Sequence, residues 1–156
     1  LGVLGLKNGP RIAYFDLENA PSLGYYYEPY LRHGGRNIIH TVEPWYMLSF
    51  AWKWVGQKTV HCRALCDYPQ YDKNKKDDSY LVKDLWKLFD EADILIAHNG
   101  DKFDVRKANA RFLQLIGRPP SPYKTIDTLK IARRHFQLES NRLGDLGVFL
   151  GLGDKV

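Results

Sequence analysis

The chain is poor in cysteine and has no long apolar run, and each shortage closes off a class of protein. Its two cysteines stand in His61-Cys62-x-x-x-Cys66, with no second ligand pair elsewhere. That pattern lacks the ligands of a structural zinc site, so two buried thiols in a reducing cytosol are expected. No stretch approaches the roughly 18 apolar residues that a membrane-spanning helix requires. Leu1 to Leu6 is apolar but short for a signal segment, and no basic region precedes it, so a cytoplasmic protein without a membrane partner is expected. Repeats and linkers are missing too. One domain over 1–156 follows, and 44% apolar content gives it enough material for a core. The net charge of +5 leans towards a polyanionic partner.

The stretch from Arg11 to Pro21, RIAYFDLENAP, organises the rest. Its apolar, β-forming residues at 12–17 predict a buried strand that Asn19, Ala20 and Pro21 stop. Side chains alternate along a strand, so Asp16 and Glu18 leave the same face, about 6.5–7 Å apart. Such a pair is either a solvated strand end or a site where a hard divalent cation offsets the repulsion through oxygen ligands.

Further along, two β-rich runs at 46–55 and 58–65 flank Gly56-Gln57 and predict a hairpin. The tyrosines of 22–32 belong to an extended or irregular segment, and Gly34-Gly35 to a turn. A polar loop at 67–79 precedes a helix over 80–92, capped by Asp78 or Ser79, with Leu81, Leu85, Leu88 and Phe89 as its apolar stripe. A second buried strand is predicted at 93–97. His98-Asn99-Gly100 then leads into a helix from Asp104 to about 116, with Val105, Ala108, Phe112 and Leu115 inside. A short strand at 123–126, a helix opened by Asp127-Thr128 and a final short helix over 141–150 complete the series. This order predicts an α/β domain with a mixed sheet.

If the second buried strand lies parallel beside the first, both end at the same sheet edge, where open α/β sheets place their sites. Asp104 then either points towards Asp16 and Glu18 or caps its own helix. His98 at a strand end is expected to be a hydrogen-bonded supporting residue. Most of Trp45, Tyr46, Trp52 and Trp54 are expected in the core, with Trp45 and Tyr25 to Tyr27 as candidates for base stacking. Lys130, Arg133 and Arg134 either track phosphates or form a solvated helical face.

FDLE, then AHNGDKFD, then TIDTLKIAR resembles the DEDD (DnaQ-like) superfamily of 3′–5′ exonucleases, in the branch related to the proofreading domains of family B DNA polymerases. The resemblance covers residues 11–155. It implies a ribonuclease-H-like mixed β-sheet with flanking helices and two-metal hydrolysis of DNA 3′ ends, single-stranded or frayed. Mg²⁺ or Mn²⁺ ions, about 3.5–4 Å apart in such sites, would be held by Asp16, Glu18 and Asp104. It also assigns Asn99 to the substrate strand near the scissile phosphate, and Leu17 and Phe103 to the terminal nucleotide. His98 is grouped with these substrate-side residues. No residue is assigned to a 2′-hydroxyl contact, so RNA stays open as a substrate.

The family's fourth acid, in Tyr-x-x-x-Asp or His-x-x-x-x-Asp, has no match in the expected place. Tyr68 to Asp72 falls too early in the order, and Tyr123 to Asp127 falls on a strand-to-helix turn. Asp127 is expected to cap a helix, two strands from Asp16, and is only a marginal candidate ligand. The domain is therefore expected to lack the helix carrying the last acid. The alternative to a nuclease is a catalytically incomplete nucleic-acid-binding module of the same fold.

Overall fold

The computed structural model describes residues 9–26 and 38–153. Leu1 to Leu6, Tyr27, Tyr30, Gly34, Gly35 and Lys155 lie outside the described residues. Seven strands and four α-helices follow in the order β1 (Ile12–Asn19), β2 (Leu23–Tyr26), β3 (Ile38–Glu43), β4 (Met47–Trp54), β5 (His61–Ala64), α1 (Ser79–Glu91), β6 (Ile94–Ala97), α2 (Asp104–Leu115), β7 (Lys124–Asp127), α3 (Thr128–His135) and α4 (Leu143–Phe149). Five strands form one mixed sheet in the order β5-β4-β1-β6-β7, and β2 pairs with β3 in a separate ribbon. The mixed α/β sheet with flanking helices that the sequence predicts is therefore present. The hairpin of β4 and β5 is antiparallel and centred on Gly56, whose φ of +86° suits a residue without Cβ. On the other side, β6 runs parallel to both β1 and β7.

Alternation along β1 decides what each side chain meets. Ala13, Phe15 and Leu17 are buried, whereas Tyr14, Asp16 and Glu18 are exposed. The buried row meets the apolar stripe of α1 (Leu81, Val82, Leu85, Leu88, Phe89), with Ala108 and Phe112 of α2 behind it. Phe89 is the hub: its ring stands edge-on to Phe15 at 5.1 Å and to Phe112 and Tyr123 at 5.2 Å. Burying side chains of this size contributes about 1.5–3 kcal/mol each, which makes this face the main source of stability.

Several details differ from expectation. Strand β1 runs two residues past Leu17, with a register shift between Glu18 and Asn19, so both acids sit within the strand. Cys62 and Cys66 are exposed rather than buried: β5 is an edge strand, and its Cys62 pairs with Ala51 on the face opposite the core. Leu115, in the last turn of α2, is 37% exposed rather than inside. Asp78 precedes α1, but its side chain makes no capping bond there. It is instead buried, accepting from the Met47 N–H at 2.8 Å and from Arg111 Nε at 2.9 Å and Nη2. The loop after β5 contains two 3₁₀ turns, Leu65–Asp67 and Pro69–Asp72. Trp52 and Trp54 on β4, and Trp45 and Tyr46 just ahead of it, are half-buried against the core. Among the described residues, no helix is long and apolar enough to cross a membrane.

A carboxylate cluster at the end of the parallel strands

The parallel pairing of β1 and β6 brings Asp16, Glu18 and the loop after Ala97 to one end of the sheet. That loop turns sharply. Asn99 adopts φ +65°, a left-handed conformation that asparagine tolerates better than most residues. Gly100 follows because there is no room for more: a Cβ there would lie 2.5 Å from the Ala97 Cβ. Backbone bonds from Phe103 N–H to the Asn99 carbonyl (3.2 Å) and from Val105 N–H to the Gly100 carbonyl (2.9 Å) carry the chain into α2. The first residue of that helix is Asp104, only 3% exposed.

Its carboxyl titrates abnormally, pushed up to about 6 chiefly by burial and next by the negative charge of Asp16, with Glu18 adding to it. The backbone N–H groups of Asp104 itself and of Leu17 act in the opposite direction and only partly offset this. Among the described residues no ammonium or guanidinium pairs with Asp16, Glu18 or Asp104. The three carboxylates thus share one electrostatic neighbourhood, with no counter-charge paired to them among the described residues. They are not closed into a cage: among the described residues, no three His, Cys, Asp or Glu side chains are grouped closely enough to hold a metal ion. As a donor set, three carboxylates suit a hard divalent cation.

The remaining predicted site residues separate into those that face this cluster and those that are committed elsewhere. The Phe103 ring is 45% exposed, with the Lys107 ammonium 5.0 Å from its centre. Leu17 is 3% exposed on the core face, and its backbone N–H hydrogen-bonds the Asp104 carboxyl. His98 is hydrogen-bonded as expected of a supporting residue, Nδ1 with Thr128 Oγ1 and Nε2 with the Asn141 carbonyl, each at 2.9 Å. Sequence reasoning treated Asn19 only as the end of a strand. Both polar atoms of its amide are buried next to Glu18 without a hydrogen-bond partner, a signal that only coordinates reveal.

The Asp127 carboxylate is taken up by backbone N–H groups. Its Oδ1 accepts from the N–H groups of Asn99 (2.9 Å), Leu129 (3.0 Å) and Lys130 (3.4 Å), and its Oδ2 accepts weakly from the Asp101 N–H (3.4 Å). The expected helix cap is there, and it also holds the Asn99 turn. Asp127→Ala is expected to cost about 2 kcal/mol, a cap plus an orphaned amide. In a thermal melt that corresponds to a midpoint lower by about 4–8 °C. The two Tyr-x-x-x-Asp matches are structural: Tyr68 donates to Asp84 at 2.7 Å, and Tyr123 to Asn109 at 3.3 Å.

The chain is similar to DNA polymerases by two measures. Over 71 residues, 46% of the chain, it is 38% identical to a DNA polymerase III PolC-type of Ureaplasma parvum serovar 3. Its fold matches the family B DNA polymerase of the hyperthermophilic archaeon Pyrobaculum calidifontis with a TM-score of 0.59 over 96% of the chain, at 15% identity. The chain spans only 5% of the first protein's length and 19% of the second's. No family model matches it.

Proposed function

We propose that this domain hydrolyses phosphodiester bonds at DNA 3′ ends, as a 3′–5′ exonuclease that requires Mg²⁺ or Mn²⁺. The observation that carries this reading is the buried Asp104 carboxylate beside Asp16 and Glu18, with no cationic side chain paired to any of them among the described residues. Repulsion left uncompensated at a sheet edge costs stability, and a bound divalent cation removes that cost. The likeness to DNA polymerases supports a nucleic-acid substrate.

In this reading Asp16, Glu18 and Asp104 hold the cations. When bound, these polarise the phosphoryl oxygen and supply hydroxide from water near neutral pH. Asp16 and Glu18, exposed on the strand, and Asp104, at the first turn of the helix, are the residues that would hold them. Asn99, fixed by Asp127, presents its amide to the strand beside the scissile phosphate. Phe103 offers an exposed ring on which the terminal base can stack.

A second reading, a module of this fold that binds nucleic acid without cutting it, is favoured by the open spacing of the three acids. Single-stranded and 3′-recessed oligonucleotides labelled at the 5′ end separate the two. A ladder shortening from the 3′ end in Mg²⁺ or Mn²⁺, absent in EDTA, is the expected result. Binding without shortening in any cation would leave only the second reading.

A further inference from the structure

Beside the carboxylate cluster, α3 and the segment ahead of α4 enclose a groove of about 600 Å³. His98 and Asn99, which follow β6, line it together with Arg133, Glu139, Asn141 and Arg142 among others. The guanidinium groups of Arg133 and Arg142 have no hydrogen bond or ion pair among the described residues. They come from different elements, so this is not one solvated helical face. The wall between them is fixed, because His98 Nε2 is bonded to the Asn141 carbonyl. The side-chain Oδ1 of Asn141 is shut off from solvent without a partner.

We propose that this groove seats the phosphodiester backbone of the substrate strand, a nucleotide or two away from the reacting end. Two unpaired guanidiniums suit two phosphates, each able to take a bidentate pair of N–H donors. A nucleic-acid strand presents its phosphates in succession along one backbone, so two of them can meet the two guanidiniums at once. Glu139, the one acid in the lining, repels isolated anions and leaves a small net positive charge that favours a chain of phosphates over a single one. The inference rests on a nucleic-acid substrate, and it gives the groove the role of holding the strand while the acids act on its end.

The test is binding of a fluorescent single-stranded DNA 12-mer in EDTA, at salt from 50 to 200 mM, followed by cleavage in Mg²⁺. The Arg133→Gln/Arg142→Gln double variant is expected to bind at least tenfold more weakly at low salt. Its slope of log affinity against log salt should be shallower by about 1.4, two single-strand phosphates' worth. In cleavage its KM rises while kcat holds. Arg134→Gln, on the same helix but outside the groove, should bind within twofold of the parent. The proposal is overturned if the double variant binds like the parent, or if Arg134→Gln weakens binding equally. Loss of binding in the double variant, with no hydrolysis in any cation, upholds the groove and removes only the nuclease reading. Hydrolysis with unchanged binding removes only the groove.

Discussion

Asp104→Asn is expected to abolish hydrolysis and, at the same time, to make the protein more stable at pH 8. The carboxyl titrates near 6 in the folded chain against an ordinary 3.8. A group with a raised folded pKa that carries negative charge penalises the fold. The penalty is complete above pH 6, shrinks as pH falls through the folded value, and is gone below 3.8. A difference of about two units corresponds to about 3 kcal/mol at 1.36 kcal/mol per unit, and relaxation leaves about 1–3 kcal/mol to be observed. At about 2–4 °C per kcal/mol, the variant should melt several degrees above the parent at pH 8 and level with it at pH 3.5. Mg²⁺ should raise the melting temperature of the parent and not of the variant. Removing a carboxylate that holds the metal forfeits several kcal/mol of transition-state stabilisation, so cleavage should fall about a thousandfold, for Asp104→Asn and Asp16→Ala alike. An Asp104→Asn protein less stable than the parent at pH 8, or one that still cuts DNA, would remove the basis of the site.

The placement of the three acids is partly legible in the sequence. Alternation along FDLE puts Asp16 and Glu18 on one face, whereas for Asp104 the sequence leaves two readings open, a side chain turned towards that pair or a cap on its own helix. What could not be read were the partners reached across the chain. Asp127 sits at a helix start in any reading, but its bond to the Asn99 N–H joins residues 28 apart and exists only because β6 and β7 pair. Strand β3 carries no alternation to read, because it pairs with β2 in a two-stranded ribbon where Ile39, His40, Thr41 and Val42 are all exposed. Cys62 lies on an edge strand and Cys66 in the 3₁₀ turn after it, and at neither place does an apolar residue type reveal which side it faces.

Asp78 is the strongest case of a role invisible in sequence, and its removal should have the largest effect on the fold. A capping residue is worth about 1 kcal/mol, which is what its position ahead of α1 suggests. In place, its carboxylate is 1% exposed and joins three elements: the start of β4 through the Met47 N–H, α1 behind it, and α2 through Arg111. Asp78→Ala leaves the largely buried Arg111 guanidinium without its counter-charge and the Met47 N–H without an acceptor. Breaking a buried pair from one side costs about 3–5 kcal/mol, so the melting temperature should fall by about 10 °C or more in a chain of this size. The double variant Asp78→Leu/Arg111→Met should lose clearly less than the sum of the single losses, since no charge is then stranded. Additive losses would mean that the two side chains act independently. Arg111 lies two turns along α2 from Asp104, so the same pair also sets the pitch at which that helix offers its first carboxylate to the strand acids. At temperatures where Asp78→Ala is still folded, its cleavage rate should fall in Mg²⁺ while its affinity for single-stranded DNA in EDTA stays unchanged, because the groove of Arg133 and Arg142 is built on other elements.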